Sequence, residues 1–224
     1  MPEMKITLLA CTPEPDFVCA QAAGISTGTK INVENYAKLL KKVLGYGHSS
    51  IIEHASFTFL VEGISRACSH QLVRHRIASY TQESQRYVAY DKISCTEPDS
   101  IIRNEEAKRV YDDFMKECEE TYLVLQKMGI KPEDARYVLP NAAHTKIMIT
   151  MNGRELLHFF GLRLCTRAQW EIREMAGKML EEARKAAPVI FEKADAQCAS
   201  LGYCPEREGC GRFPKKQENE RKGL

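Results

Sequence analysis

The chain has 224 residues, 44% hydrophobic and 28% charged, the balance of an ordinary globular protein with one sizeable core. A net charge of +2 excludes a whole-chain electrostatic case for nucleic acid or an anionic membrane, so any anion site has to be a local cluster. No apolar stretch approaches the roughly 20 residues that span a bilayer, and the N-terminus does not read as a secretory signal, since Glu3 and Lys5 precede its short apolar run and Pro13 follows. The expectation is a soluble, cytoplasmic protein with no membrane partner.

Residues 5–10 are rich in β-formers and predict a first strand. Residues 34–44 carry the helical period, with Tyr36, Leu39, Leu40 and Leu44 on one face, and Gly45-Tyr46-Gly47 ends that helix. A loop from His48 to Glu53 leads into a β-branched and aromatic strand over 55–61, punctuated by Gly63. Ile64, Ala67, Cys68 and Leu72 predict a helix reaching about Arg76, followed by a polar loop over 79–86. Residues 104–128 form a long amphipathic helix with Ala107, Val110, Tyr111, Phe114, Tyr122, Leu123 and Leu125 as its apolar positions. Pro132 opens a short helical turn near 133–136, and 145–151 is a further strand.

Asn152 can cap the helix that follows, with Glu155 as its capping-box partner, and Thr166 and Gln169 form a second such box. The latter opens a helix with a stripe of Ile172, Met175, Ala176, Met179, Ala183 and Ala187, which Pro188 kinks or ends. Helices with few strands and no βαβ regularity indicate α+β: a single domain over 1–213, with a small mixed or antiparallel sheet flanked by long helices. A charged tail, 214–224, is expected to be disordered.

The cysteines number nine, and without a signal peptide they read as reduced thiols. Cys198, Cys204 and Cys210 are evenly spaced near the C-terminus, but a zinc site would want CxxC-type pairs or a fourth ligand, so no metal is expected.

The densest chemical signal is Arg74-His75-Arg76, followed by seven residues and Ser84, with Arg86 just beyond. Guanidinium groups grip phosphate bidentately at any relevant pH. Gln71, one turn before Arg74, adds an amide suited to a nucleobase edge, and Ser84 and Arg86 would share one face of an extended segment. The same cations could instead oppose a helix dipole in solvent, and on these residues alone both readings stand.

The pattern RHR-x7-S within QLVRHRIASYTQESQRY (71–87), with GHSSIIEH (47–54), ARYVLP (135–140) and NGRELLHFFGLRLCTRAQWEI (152–172), resembles the flavin-dependent thymidylate synthases. The likeness runs from about residue 5 to about residue 195, in the family's order. It implies a homotetrameric FAD enzyme with active sites at subunit junctions. Such an enzyme, a methyltransferase, converts dUMP to dTMP with 5,10-methylenetetrahydrofolate as carbon donor and FAD and NADPH as the hydride source.

By the same resemblance, Gln71, Leu72, Val73 and Arg74 hold dUMP together with Gln82, Glu83, Ser84, Gln85 and Arg86, with Arg136 from a neighbouring chain. Ser50, Arg74, His75, Arg76, Gln82, Asn152, Arg154 and His158 touch FAD. Asn152 and Arg154 also sit at a helix start, where free N–H groups favour a pyrophosphate. Arg163 matches the catalytic arginine that stabilises the N3-deprotonated uracil ring, and His48 a histidine near the flavin. His158 stands where asparagine also occurs in the family, and Arg167 where histidine also occurs. Ser84 has no aspartate partner for a triad with His75.

Two other classes compete. A nucleic-acid module built on the Arg74–Arg86 region is opposed by the near-neutral charge, and a flavoprotein with another substrate would ignore dUMP. A Rossmann dehydrogenase is disfavoured, because Gly45-Tyr46-Gly47 lacks a third glycine and follows a helix.

Overall fold

The computed structural model describes residues 4–215. Its chain order is β1 (Lys5–Cys11), α1 (Pro15–Thr27), α2 (Tyr36–Gly45), a 3-10 turn (Ser49–His54), β2 (Ser56–Ser65), α3 (Arg66–Leu72), β3 (Ser79–Gln82), α4 (Asp99–Ile102), α5 (Glu105–Lys127), α6 (Pro132–Ala135), a 3-10 turn (Arg136–Val138), β4 (His144–Asn152), α7 (Gly153–Arg163), α8 (Trp170–Ala186) and α9 (Gln197–Leu201). The class is α+β, with one small antiparallel sheet in the order β1-β2-β4-β3. Among the described residues no helix is long and apolar enough to cross a membrane.

The described residues gather into two compact units. The first holds the residues up to Lys5, Val61–Arg74 and Tyr80–Met148; the second holds Ile6–Leu60, His75–Ser79 and the chain from Ile149 onward.

In the first unit, Ser65 caps α3, its Oγ accepting from the Cys68 N–H at 3.0 Å. This helix is shorter than the expected 64–76. It begins only after β2 ends and stops at Leu72, so Arg74 and the residues after it are not helical. The expected polar loop over 79–86 is half a strand: Ser79–Gln82 pairs at the sheet edge, where Tyr80 and Gln82 alternate inward. Asn104 caps α5 as a side-chain acceptor for the Ala107 N–H, at 3.0 Å. Tyr122 is fully buried, whereas Val110 and Phe114 are 62% and 56% exposed, so the stripe read from the sequence is left open along the first half of the helix.

In the second unit, Phe57, Phe59, Phe159, Phe160 and Phe191 form the buried aromatic core, with Phe57 edge-on to Phe191 at 5.3 Å. The whole expected stripe of α8 is buried. Its cap is Gln169 rather than Thr166, the Gln169 Oε1 accepting from the Glu171 and Ile172 N–H groups at 3.0 and 3.1 Å. Helix α1 was not foreseen: its buried stripe of Cys19, Ala20, Ala23 and Gly24 is made of small side chains that give little hydrophobic contrast. Asp16, at its start, accepts from the N–H groups of Val189 and Ile190 at 2.9 and 3.0 Å and so pins the chain that follows α8. The loop expected at 48–53 is instead a 3-10 turn.

Two residues of the expected disordered tail, Pro214 and Lys215, are described, and both pair with Cys204: the Cys204 N–H donates to the Pro214 carbonyl at 2.7 Å. The remainder of that tail lies outside the described residues.

The turn from β4 into α7 is pressed against the 3-10 turn. The Gly153 N–H donates to the Ala55 carbonyl at 2.8 Å, and a Cβ at 153 would come within 2.8 Å of the Ile52 carbonyl oxygen. Gly153→Ala must therefore separate two backbones, and we expect it to destabilise the protein by about 1–3 kcal/mol, read as a lower denaturation midpoint. An unchanged midpoint would show that the turn yields freely.

Candidate active site

Within the second unit the geometry centres on His75. Arg163, in the last turn of α7, donates from Nε to His75 Nε2 at 3.0 Å. That nitrogen must therefore be the bare acceptor, which places the ring proton on Nδ1, facing Glu155 Oε1 at 3.2 Å. His75 and Glu155 are buried, and Phe159 stands edge-on to the imidazole at 5.0 Å. Burial, then the neighbouring Arg163 cation, then His158 lower the His75 pKa to about 4, so the ring is neutral at physiological pH. Burial also raises the Glu155 carboxyl, with His158 opposing.

The local sequence explains this placement. Asn152 caps α7 as expected, its Oδ1 accepting from the Glu155 N–H at 2.9 Å. The Glu155 side chain turns to His75, so only one half of a capping box is seen. His158 and Arg163 then follow along α7. The ligand atoms of His75, Glu155 and His158 lie within 4.8 Å of one another, as in a metal site. Both ring nitrogens of His75 already have partners, however, and a guanidinium 3.0 Å away opposes a second cation there.

A cavity of about 740 Å³ opens beside α7 in the same unit. Arg154 and His158, both expected at the site, line it together with Lys41, Ser49, Leu157 and Ile190. Arg154 also pairs with Glu53. Ser50 and His48 are exposed; Ser50 lies in the 3-10 turn and His48 directly precedes it, and the adjacent Ser49 lines the cavity. Arg76 is exposed.

The first unit gathers the other expected residues. Arg86 Nε donates to Glu133 Oε2 at 3.1 Å, and Arg136 Nε to the Glu133 carbonyl at 3.0 Å, so one residue holds two cations that lie fifty positions apart. The expectation that Ser84 and Arg86 alternate along extended chain is corrected: Ser84 to Val88 turn, with the Arg86 N–H donating to Ser84 Oγ at 3.3 Å. Gln82 donates from Nε2 to Ser69 Oγ at 2.9 Å and Thr145 Oγ1 at 3.1 Å, which commits its amide nitrogen. Leu72 is fully buried, its carbonyl accepting from the Tyr80 hydroxyl at 3.0 Å. Val73 and Arg74 are exposed, and Gln71, Glu83 and Gln85 half-buried.

Residues 7–189 match the family described as thymidylate synthase complementing protein. The chain belongs to that family. A flavin-dependent thymidylate synthase of Geobacter sulfurreducens is 50% identical over 213 residues, 91% of each chain. One from Pyrococcus abyssi is 48% identical over 221 residues, 92% of this chain and 91% of its own. Another, from Clostridium tetani, is 43% identical over 234 residues, 93% of this chain and 94% of its own. The stretch matching the thymidylate synthase complementing protein family contains every residue that the sequence placed at the site, from His48 to Arg163.

Sequence reasoning missed Glu155 as a partner of His75, reading it only as a cap, and missed Glu133, Lys41 and Ser49. Only Glu155 gave a signal, an acidic residue next to an otherwise cationic cluster.

The geometry makes His75 titration diagnostic. A folded pKa lowered from 6.5 to about 4 means that the ring stays neutral as pH falls through 6, where an unfolded-chain histidine is largely protonated. Nitrogen NMR should show one histidine fixed in the Nδ1–H form down to about that value. A His75 that protonates near 6.5 would contradict the arrangement.

Proposed function

We propose that this chain methylates dUMP to dTMP, taking the methylene of 5,10-methylenetetrahydrofolate and releasing tetrahydrofolate, as a cytoplasmic homotetramer that uses FAD and NADPH. The observation that carries the reading is Arg163, a cation fixed in direction through neutral His75 by buried Glu155. Such a group suits a uracil ring that develops charge at N3. Stabilising the N3-deprotonated ring raises electron density at C5, the carbon that must attack the methylene, and no cysteine nucleophile is needed. The names of the relatives support the same chemistry.

The residues fit the flavin. The cavity of about 740 Å³ is of the size of a cofactor cleft, with apolar Leu157 and Ile190 for a ring system and Lys41 and Arg154 for phosphates. Ser50, Arg74, Arg76, Gln82, Asn152, Arg154 and His158 would hold FAD, and His48 would shape the edge of that site. When bound, FAD supplies the hydride that completes the methyl group, and NADPH replaces it. His75 acts on the flavin only through its surroundings, because both its ring nitrogens are committed.

For dUMP, Gln71, Val73, Arg74, Glu83, Ser84, Gln85 and Arg86 offer side chains, with Arg136 reaching from a neighbouring copy. Leu72 can contribute backbone alone, since its side chain is buried. Gln82 offers the nucleotide an acceptor. Val110 and Phe114, apolar and exposed on α5, suit a subunit contact and support the tetramer.

The test is anaerobic: NADPH-reduced enzyme is mixed with dUMP, with methylenetetrahydrofolate, and with both, while flavin absorbance and dTMP are followed. We expect reoxidation and dTMP only when both are present. Arg163→Ala should lower the rate of dTMP formation by about 100- to 1,000-fold while flavin still binds. A protein that takes up no flavin would overturn the proposal, and an Arg163→Ala variant at full rate would remove its catalytic assignment.

A further inference from the structure

Cys198, Cys204 and Cys210 lack a fourth ligand in the sequence, and the fold provides one. Cys165, in the turn after α7, lines the same small cavity as these three, a space of about 40 Å³. Other contacts bring the four near one another. Thr166, next to Cys165, hydrogen-bonds the Cys210 sulfur. Cys198 lies within electrostatic reach of Cys165 and Cys204. The backbone at Gly209 folds over Cys204 so closely that a Cβ there would stand 3.3 Å from Cys204 Sγ.

The segment that carries these sulfurs has little else to hold it. From Gly202 to Lys215 it contains no helix, its only bridge pairs Cys204 with Lys215, and Cys204 is its only buried residue. Its ties to the rest of the unit include Arg212 to Asp195, and Arg167 to the Glu206 carboxylate and the Glu208 carbonyl. Irregular segments without an apolar core of their own are commonly fixed by a disulfide or a metal. No disulfide joins any of the nine cysteines.

We propose that Cys165, Cys198, Cys204 and Cys210 form a structural zinc site that staples the C-terminal segment to the end of α7. Four thiolates are the ligand set of a closed tetrahedral zinc site, with Zn–S distances of about 2.3 Å, and they leave no open position for catalysis. A cavity of about 40 Å³ suits one ion rather than a multi-iron cluster. Binding releases the four thiol protons to solvent and leaves the centre with two negative charges. Arg167 and Arg212, lining the same cavity, are placed to offset them. Among the described residues no three of the sulfurs lie within 4.8 Å of one another, so binding would require the sulfurs to close on the ion. Positive-φ Gly202 and Gly211 stand at its bends.

The full-length protein, purified under reducing conditions from zinc-supplemented cells, should carry about one zinc per chain by elemental mass spectrometry. Cys204→Ser and Cys210→Ser should each lose it, and Cys11→Ser should keep it. Should those variants fail to fold, the wild-type protein stripped by chelator and refilled with cobalt should show the intense thiolate-to-cobalt bands of a tetrahedral sulfur site. Zinc removal should also expose the chain beyond Cys198 to proteolysis before the rest. Protein without stoichiometric metal would overturn the proposal, as would iron with acid-labile sulfide, or zinc retained when Cys165 and Cys210 are both replaced.

Discussion

A neutral imidazole that accepts from a guanidinium on one side and faces a carboxylate on the other can adopt only one tautomer and one ring orientation. His75 is held in this way, and the direction of Arg163 follows from it. Were the ring protonated, the acceptor for Arg163 would vanish and two cations would face each other. Burial is therefore not incidental: it keeps His75 uncharged, and the carboxylate of Glu155 fixes which nitrogen carries the proton. The cap at Asn152 belongs to the same construction, because it starts α7 in the register that brings Glu155 and Arg163 to the same ring.

The two units divide the chemistry along the chain. Glu133 brings together Arg86 and Arg136, and Gln82 is oriented by Ser69 and Thr145, all within the first unit. The cavity and the His75 group belong to the second. The RHR triplet straddles the boundary, with Arg74 in one unit and His75 and Arg76 in the other. Its three side chains accordingly differ: the arginines are exposed, and the histidine between them is buried.

Much of this could be read from the sequence where contrast was high. Strand β4, helix α5 and the stripe of α8 have strong apolar periodicity, and each is where the pattern put it. Helix α1 escaped because alanine, cysteine and glycine give little contrast, and β3 because its pairing at a sheet edge is decided by tertiary contact rather than composition. Arginine-rich motifs announced the cluster but not its wiring. Glu155 looked like a cap because three-residue spacing after Asn152 is also the spacing of a capping box. Only the fold shows that its carboxylate goes to a residue eighty positions earlier.

Asp16 has a bearing on the order in which the chain can fold. Its carboxylate bonds backbone groups 173 and 174 positions later, so the second unit is held by contacts between an early and a late segment of the chain. On a ribosome, α1 emerges early and has to wait until Val189 and Ile190 have been made. The run from Tyr80 to Met148 in the first unit is by then complete. Synthesis therefore imposes a sequence of assembly in which the unit carrying His75 and Arg163 is the last to close.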